Sequence, residues 1–254
     1  MMKTSVVTGG ASGIGLEFVK LLIKDNYKVF IVDKNQSNLD EIKDYLKPNN
    51  HEYIHEDLSL IKSPEKIYKK LKSENIDILI NNAGFGRFGK FHETDWDTDE
   101  KMINLHVLNT THLTKLFLND MVKKNEGKIL NVSSVAAFQA GPLMSLYYAT
   151  KAYILHFTEA IANEVSDKNI CISVLCPGQT KTNFQKNVSS KKNKIHFNTA
   201  SPKKVAKLGY ESLKDNITIS IPGFINKFIV FLNRILPRSV STKIVRYIQE
   251  KNRN

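Results

Sequence analysis

The sequence is short of cysteine, of long apolar runs and, over its last third, of acidic side chains. Only Cys171 and Cys176 occur among 254 residues. They stand five apart in an apolar run, on opposite faces of a strand, a spacing that fits neither a zinc pair nor a Cys-x-x-Cys redox site. Buried free thiols in a reducing compartment are expected, and no metal site. No stretch of about 18 apolar residues suggests a membrane span. The start, Met-Met-Lys-Thr-Ser-Val-Val-Thr8, lacks the long apolar segment of an export signal, so the expected location is cytoplasmic. With 12 Gly and 7 Pro, 41% hydrophobic and 24% charged residues, collagen-like and disordered classes are excluded. The length suits one domain spanning 1–254.

What is there in excess is positive charge, +12 overall. Residues 181–254 carry sixteen Lys and Arg against Glu211, Asp215 and Glu250, and the first 180 residues are close to neutral. No basic-aromatic patch or recognition motif accompanies the charge, so a nucleic-acid partner is not expected. Lys outnumbers Arg 32 to 5, a bias of composition rather than of phosphate recognition.

Apolar runs of four to six residues alternate with helical patterns along the chain. Ser5–Thr8 leads through Gly9-Gly10-Ala11-Ser12-Gly13-Ile14-Gly15 into Leu16, Val19, Leu22 and Ile23 at helical spacing. Strands follow at Lys28–Val32, His51–Glu56, Ile76–Ile80, Lys128–Val132, Ile170–Leu175 and Ile217–Ile221, with a long helix from about Asp97 to Lys124 and another over Leu146–Val165. Parallel strands need crossover helices, so the pattern predicts a doubly wound α/β sandwich with a parallel sheet of about seven strands. The polar segment 179–200 is longer than ordinary connections and reads as a lid.

The glycine turn ends a strand and opens a helix, and Asp33 closes the next strand. Glycines let backbone approach a pyrophosphate, whose charge the helix N-terminus favours, and a carboxylate at Asp33 suits an adenosine ribose. Tyr147 and Lys151 are four apart on one helix face, where an ammonium near a phenol favours the phenolate and a general acid/base near neutral pH. An amphipathic helix with a surface Tyr and Lys is the bland alternative.

Together, Thr8-Gly9-x-x-x-Gly13-x-Gly15, Asn81-Asn82-Ala83-Gly84, Ser134, Tyr147-x-x-x-Lys151 and Pro177-Gly178-Gln179-Thr180-Lys181-Thr182 resemble the compact single-domain branch of the short-chain dehydrogenase/reductase family. The resemblance covers residues 4 to about 182, with thirteen residues from Ser134 to Tyr147. It implies a Rossmann-type domain with a cofactor-binding and catalytic core over 1–180. Residues 181–254 would then supply the substrate loop, last strand and basic C-terminal helices. It further implies hydride transfer between a nicotinamide cofactor and a ketone, aldehyde or secondary alcohol, in a homodimer or homotetramer. Tyr147 would exchange the proton, Ser134 hydrogen-bond the substrate oxygen, and Lys151 also hold the nicotinamide ribose. Thr8, Gly9, Ser12, Gly13, Ile14, Gly15, Asp57, Leu58, Asn81, Ala83, Gly84, Pro177, Gly178, Thr180 and Thr182 would line the cofactor. Asp33 and Ser12 favour NAD over NADP, and Lys34 opposes that preference. The different-class alternative is a catalytically weak dinucleotide sensor or scaffold.

Two features depart from the family pattern or lie beyond it. Twenty-eight residues before Ser134, where the family places an Asn that supports a water beside the lysine, stands His106. It either holds that water or relays protons, or it is a packing residue. Beyond the motifs, Phe224–Leu236 mixes eight large apolar residues with Lys227 and Arg234. Three readings stand: a core or subunit-interface helix, the wall of a pocket for a lipid-like, acyl or steroid-like substrate, and a basic amphipathic helix for an anionic membrane or an acyl carrier.

Overall fold

In the computed structural model, residues 2–46, 51–182, 184 and 199–253 are described. Seven strands form one parallel sheet: β1 Thr4–Thr8, β2 Lys28–Asp33, β3 His51–His55, β4 Ile76–Asn81, β5 Gly127–Val132, β6 Ile170–Leu175 and β7 Ile219–Ser220. Their spatial order is β3-β2-β1-β4-β5-β6-β7, so the chain doubles back between β1 and β4. Val7 and Ile31 face one side with Phe18, Val19 and Leu22 of α1 (Gly13–Lys24). Val6, Phe30 and Leu79 face the other. Two separate apolar layers cover the sheet, as its continuous strand hydrophobicity requires. Cys171 and Cys176 are free, buried, and sit in different layers.

Helices α2 (Gln36–Tyr45), α3 (Ser63–Lys70), α4 (Trp96–Ile103), α5 (Thr110–Lys124), α6 (Ser145–Glu164) and α7 (Pro202–Lys214) make the crossovers. Pro64 and Pro202 occupy first-turn positions in α3 and α7, where a missing N–H is harmless. The expected long helix over 97–124 is interrupted: Asn104–Asn109 is a π-turn joining α4 to α5. That widened turn carries His106, and no Gly or Pro in the sequence announces it. The segment read as a lid lies mostly outside the described residues.

Two helices close the chain, α8 (Phe224–Ile235) and α9 (Arg238–Arg253). They are not core helices. In α8 only Val230 is buried, whereas Asn226 and Asn233 turn toward the body of the protein. Asn226 donates to the Pro222 carbonyl, and Asn233 is hydrogen-bonded to Gln139 and Ser241. Among the described residues no helix is long and apolar enough to cross a membrane.

Candidate active site

Parallel strands β1, β4, β5 and β6 all end on one side, and the order reversal between β1 and β4 leaves a crevice there. Its lip is a clasp of hydrogen bonds. Thr8 Oγ1 accepts the N–H groups of Asn82 and Ala83, each at 3.0 Å. The Asn82 amide donates back to the Thr8 and Gly9 carbonyls at 3.0 and 3.1 Å. Gly9 and Gly13 have φ of 62° and 55°, a left-handed conformation that costs glycine nothing. A Cβ on Gly9 would stand 2.9 Å from the Ala83 backbone, and one on Gly15 would strike the Gly9 carbonyl. Ser12 precedes α1 without a side-chain cap bond, so the first N–H groups of the helix face the crevice without help from that hydroxyl. Ile14 packs on the core beneath them. This cradle fits a dinucleotide pyrophosphate.

Asp33 ends β2 beside the cradle. Its carboxylate accepts the Ala11 N–H at 3.1 Å and the Asn35 N–H at 3.0 Å, which fixes both oxygens at the edge of the glycine turn. Lys34 swings away from Asp33 over the Phe85 ring, 5.7 Å from its centre. Asp57 caps its own turn by accepting the Ser59 N–H, the ordinary Asx-turn use of such a residue. Leu58, Asn81 and Ala83 border one recess, but the Asn81 amide is turned into the sheet, donating to Thr114 and Asn131. Asn131 in turn donates to Thr158, so a buried polar chain runs from α5 through β4 and β5 to α6. On the opposite lip, the Pro177 carbonyl accepts from Ser134 and Val135. Thr180 bonds the Gly178 carbonyl, and Thr182 lies against Gly13.

Ser134, Tyr147 and Lys151 come from the end of β5 and the first turns of α6. Ser134 caps the 3-10 turn Val135–Phe138, accepting the Ala136 N–H at 3.1 Å. Ser133 points the other way and donates to the Lys151 carbonyl at 2.7 Å, and Lys151 Nζ donates to the Val132 carbonyl at 2.9 Å. α6 is thereby stapled to β5 at both ends of one residue. The ammonium lies 5.8 Å from the Tyr147 ring centre, and Tyr147 is ringed by His106, Tyr148 and Phe184. Tyr148 accepts from Gln249 and packs on Gly141, a wall rather than a reacting group. Lys151 is buried with no carboxylate partner among the described residues, and burial lowers its pKa to about 8.

His106 is fully buried, and both its ring nitrogens are engaged. Thr150 donates its hydroxyl hydrogen to the Tyr147 carbonyl at 3.0 Å, so its oxygen accepts from His106 Nδ1 at 2.9 Å. Nε2 accepts the Phe85 N–H at 3.2 Å. This network assigns the neutral Nδ1–H tautomer. Burial, and then the charge of Lys151, hold its pKa well below the usual histidine range. The ring ties the π-turn to α6 and to the loop after β4, which favours packing over a water-holding or relay role. Gly84 is close above it: a Cβ there would come within 3.0 Å of Nε2. Sequence reasoning missed Asn82, Thr150 and Asn131, whose partners lie 44 to 74 residues away or across the sheet. The repeated Asn81-Asn82 was their one local signal. Among the described residues no group of three or more His, Cys, Asp or Glu is placed to hold a metal.

A strand-end cradle, a ribose-side carboxylate and a Ser/Tyr/Lys group at a topological switch point define a dinucleotide-dependent α/β enzyme. The model of the short chain dehydrogenase family matches residues 3–193. The chain belongs to this family and is an NAD(P)-dependent dehydrogenase or reductase. It is 32% identical over 194 residues to 3-oxoacyl-[acyl-carrier-protein] reductase FabG of Buchnera aphidicola, covering 74% of this chain and 78% of that one. It is 28% identical to the very-long-chain 3-oxoacyl-CoA reductase of Mus musculus, covering 98% of this chain and 83% of the relative. A solved 7beta-hydroxysteroid dehydrogenase superposes with a TM-score of 0.87 at 20% identity, covering 96% of each chain.

Two predictions follow from the buried pair. Replacing His106 by Ala orphans the Phe85 N–H and the Thr150 hydroxyl and leaves a cavity, so urea unfolding should show a loss of about 2–4 kcal/mol. In His106→Asn the pH profile of kcat/KM should match wild type between about pH 5.5 and 7.5, since a neutral imidazole has no proton to lose there. A displaced profile would show that His106 titrates in the reaction.

For Lys151, the folded ammonium loses its proton near 8 and the unfolded one near 10.5, so between these values the unfolded chain binds more protons. Burial therefore subtracts stability fully below about pH 8 and less as pH rises toward 10.5. Lys151→Met should exceed wild type in stability most at neutral pH, with the gap closing above 8. A gap that widens with pH would contradict the buried, unpaired charge.

Proposed function

We propose that the chain interconverts an apolar ketone and its secondary alcohol, lipid-like, acyl or steroid-like, with NAD(H) preferred over NADP(H). The observation that carries this reading is the Lys151 ammonium, buried beside the Tyr147 ring at the mouth of the cradle with no counter-ion among the described residues. A cation in that place stabilises a phenolate more than a phenol, which lets Tyr147 give up a proton to a substrate oxygen at neutral pH. In the reducing direction the Tyr147 phenol donates that proton, and Ser134 turns its one hydroxyl hydrogen from the Pro177 carbonyl to the same oxygen. The bound nicotinamide supplies the hydride to the carbonyl carbon, and Lys151 also holds its ribose. Oxidation runs the same transfers backwards.

Cofactor preference rests on Asp33. With both oxygens fixed by Ala11 and Asn35, the carboxylate accepts from a ribose 2′-hydroxyl and repels a 2′-phosphate, while Lys34 is drawn off over Phe85. The apolar substrate class draws support from Met144 and Phe184 around Tyr147 and Gly86, and from the acyl and steroid relatives. The shared outer face of α5 and α6, where Tyr153 stacks on Phe157 and bonds Thr111, suits assembly with a second copy into a homodimer or homotetramer.

Titration with NADH and NADPH followed by a panel of ketones, read at the cofactor absorbance, tests the proposal. NADH should bind at least about tenfold more tightly, Asp33→Ala should erase most of that difference, and long-chain or polycyclic ketones should turn over fastest. Tight NADH binding with no turnover of any carbonyl would instead establish a dinucleotide sensor, and tighter NADPH would reverse the cofactor assignment.

A further inference from the structure

We propose that α8 and α9 form a peripheral docking surface that lies on an anionic lipid bilayer. The first observation is their inverted polarity. A helix on a soluble protein ordinarily turns its apolar stripe to the core; in α8 the side chains turned inward are Asn226, Val230 and Asn233, and the larger apolar ones are left outside. In α8, Asn226 bonds the Pro222 carbonyl four residues earlier in the chain, and Asn233 ties the inner face to Gln139 of the body and to Ser241 of α9. In α9, Ser241, Val245 and Gln249 are buried, and Gln249 donates to Tyr148 at 2.8 Å. The outer faces hold what is left. Phe224, Phe228, Phe231 and Ile235 fall on one stripe of α8, each more than half exposed, Phe224 at 83%. Ile244, Tyr247 and Ile248 stand out from α9. Isolated exposed apolar residues are normal, but a continuous stripe over three turns is not.

The second observation selects the occupant. Residues 224–251 carry Lys227, Arg234, Arg238, Lys243, Arg246 and Lys251 against Glu250 alone. At 100° per residue, Lys227 and Arg234 lie together on one flank of the phenylalanine stripe, 60 to 100° from its centre. An apolar centre with a basic flank is the arrangement of a helix lying in a membrane interface, where the rings enter the acyl boundary and the cations meet anionic headgroups. A second copy of this chain would bring the same six cations to the contact and repel. An acidic carrier protein would match the charges but would leave the protruding rings, the larger part of the surface, without an apolar partner. The inner face of α8, opposite the exposed stripe, packs against the lip of the active site, for a Cβ on Gly178 would strike the Asn226 side chain. Delivery of an apolar substrate from the bilayer would rest on the function proposed above; the docking does not, and its test reads docking alone.

The full-length protein is floated with vesicles of phosphatidylcholine, and with vesicles containing about one-third phosphatidylglycerol, at about 0.1 M and 1 M salt. Two variants are compared with wild type, Phe228→Ser with Phe231→Ser, and Lys227→Glu with Arg234→Glu. Circular dichroism and NADH affinity should match wild type in both, because all four side chains are exposed and outside the cofactor crevice. Wild type should bind the anionic vesicles at least about tenfold better than the neutral ones, weakening in high salt, and either variant should lose about tenfold or more. The proposal is overturned if wild type floats with neither vesicle, or if the phenylalanine pair binds as wild type does. It is equally overturned if the only effect of that pair is to split a dimer, or if the surface captures an acidic acyl carrier protein and ignores vesicles.

Discussion

An ammonium buried without a carboxylate partner among the described residues, that of Lys151, sets the terms for everything around it. Desolvating a charge costs several kcal/mol unless fixed dipoles replace the water, and Lys151 has the Val132 carbonyl at the end of β5 for that purpose. The same carbonyl-bearing strand end binds α6 through Ser133, so helix and strand cannot separate without exposing the lysine's environment. His106 stays neutral because its burial, and then the nearby charge of Lys151, disfavour a second cation. The neutral ring is free to act as a two-sided strut, accepting from Phe85 and donating to Thr150. Tyr147, one turn before Lys151, inherits the field of the cation.

The sheet carries this arrangement to the cofactor side. Because β1 and β4 are neighbours while β2 and β5 lie outside them, the chain leaves a crevice at their ends, and the Thr8 to Asn82 clasp holds its two lips together. Beneath it, the chain Thr114, Asn81, Asn131, Thr158 crosses the sheet between its apolar layers. Buried polar groups of this kind specify one arrangement, because any slip in register leaves them unpaired. The clasp and the polar chain therefore hold the strand ends around which Asp33 and Lys151 are placed.

Much of this was legible in the residues themselves. Short apolar runs separated by helical periodicity can only be a parallel sheet, and the seven strands sit close to where the pattern puts them. The glycine turn and the four-residue spacing of Tyr147 and Lys151 are local features, so sequence alone locates them. Long-range pairing is different. Asn81 reads as a cofactor contact, yet its amide is drawn into the sheet by Asn131, fifty residues away. Asp57 reads as a cofactor contact by resemblance, and its carboxylate also accepts the Ser59 N–H of its own turn. The π-turn around His106 has no breaker residue to reveal it. The clearest limit is α8: periodicity shows that it has an apolar face but not which way that face points. Only the exposure of Phe224, Phe228, Phe231 and Ile235, with Val230 and Asn233 turned inward, shows that it points outward.

Part of the basic charge that stands out in the composition thus lies on α8 and α9 and not in the cofactor-binding core, which among the described residues has one buried cation. The central claim is that this cation makes Tyr147 the proton donor. Single-turnover oxidation of pre-bound NADH by an apolar ketone, wild type against Tyr147→Phe, tests it most directly. The account predicts unchanged NADH affinity and a chemical step slowed by about 10²–10⁴ in the variant. Equal single-turnover rates in the two proteins would contradict it.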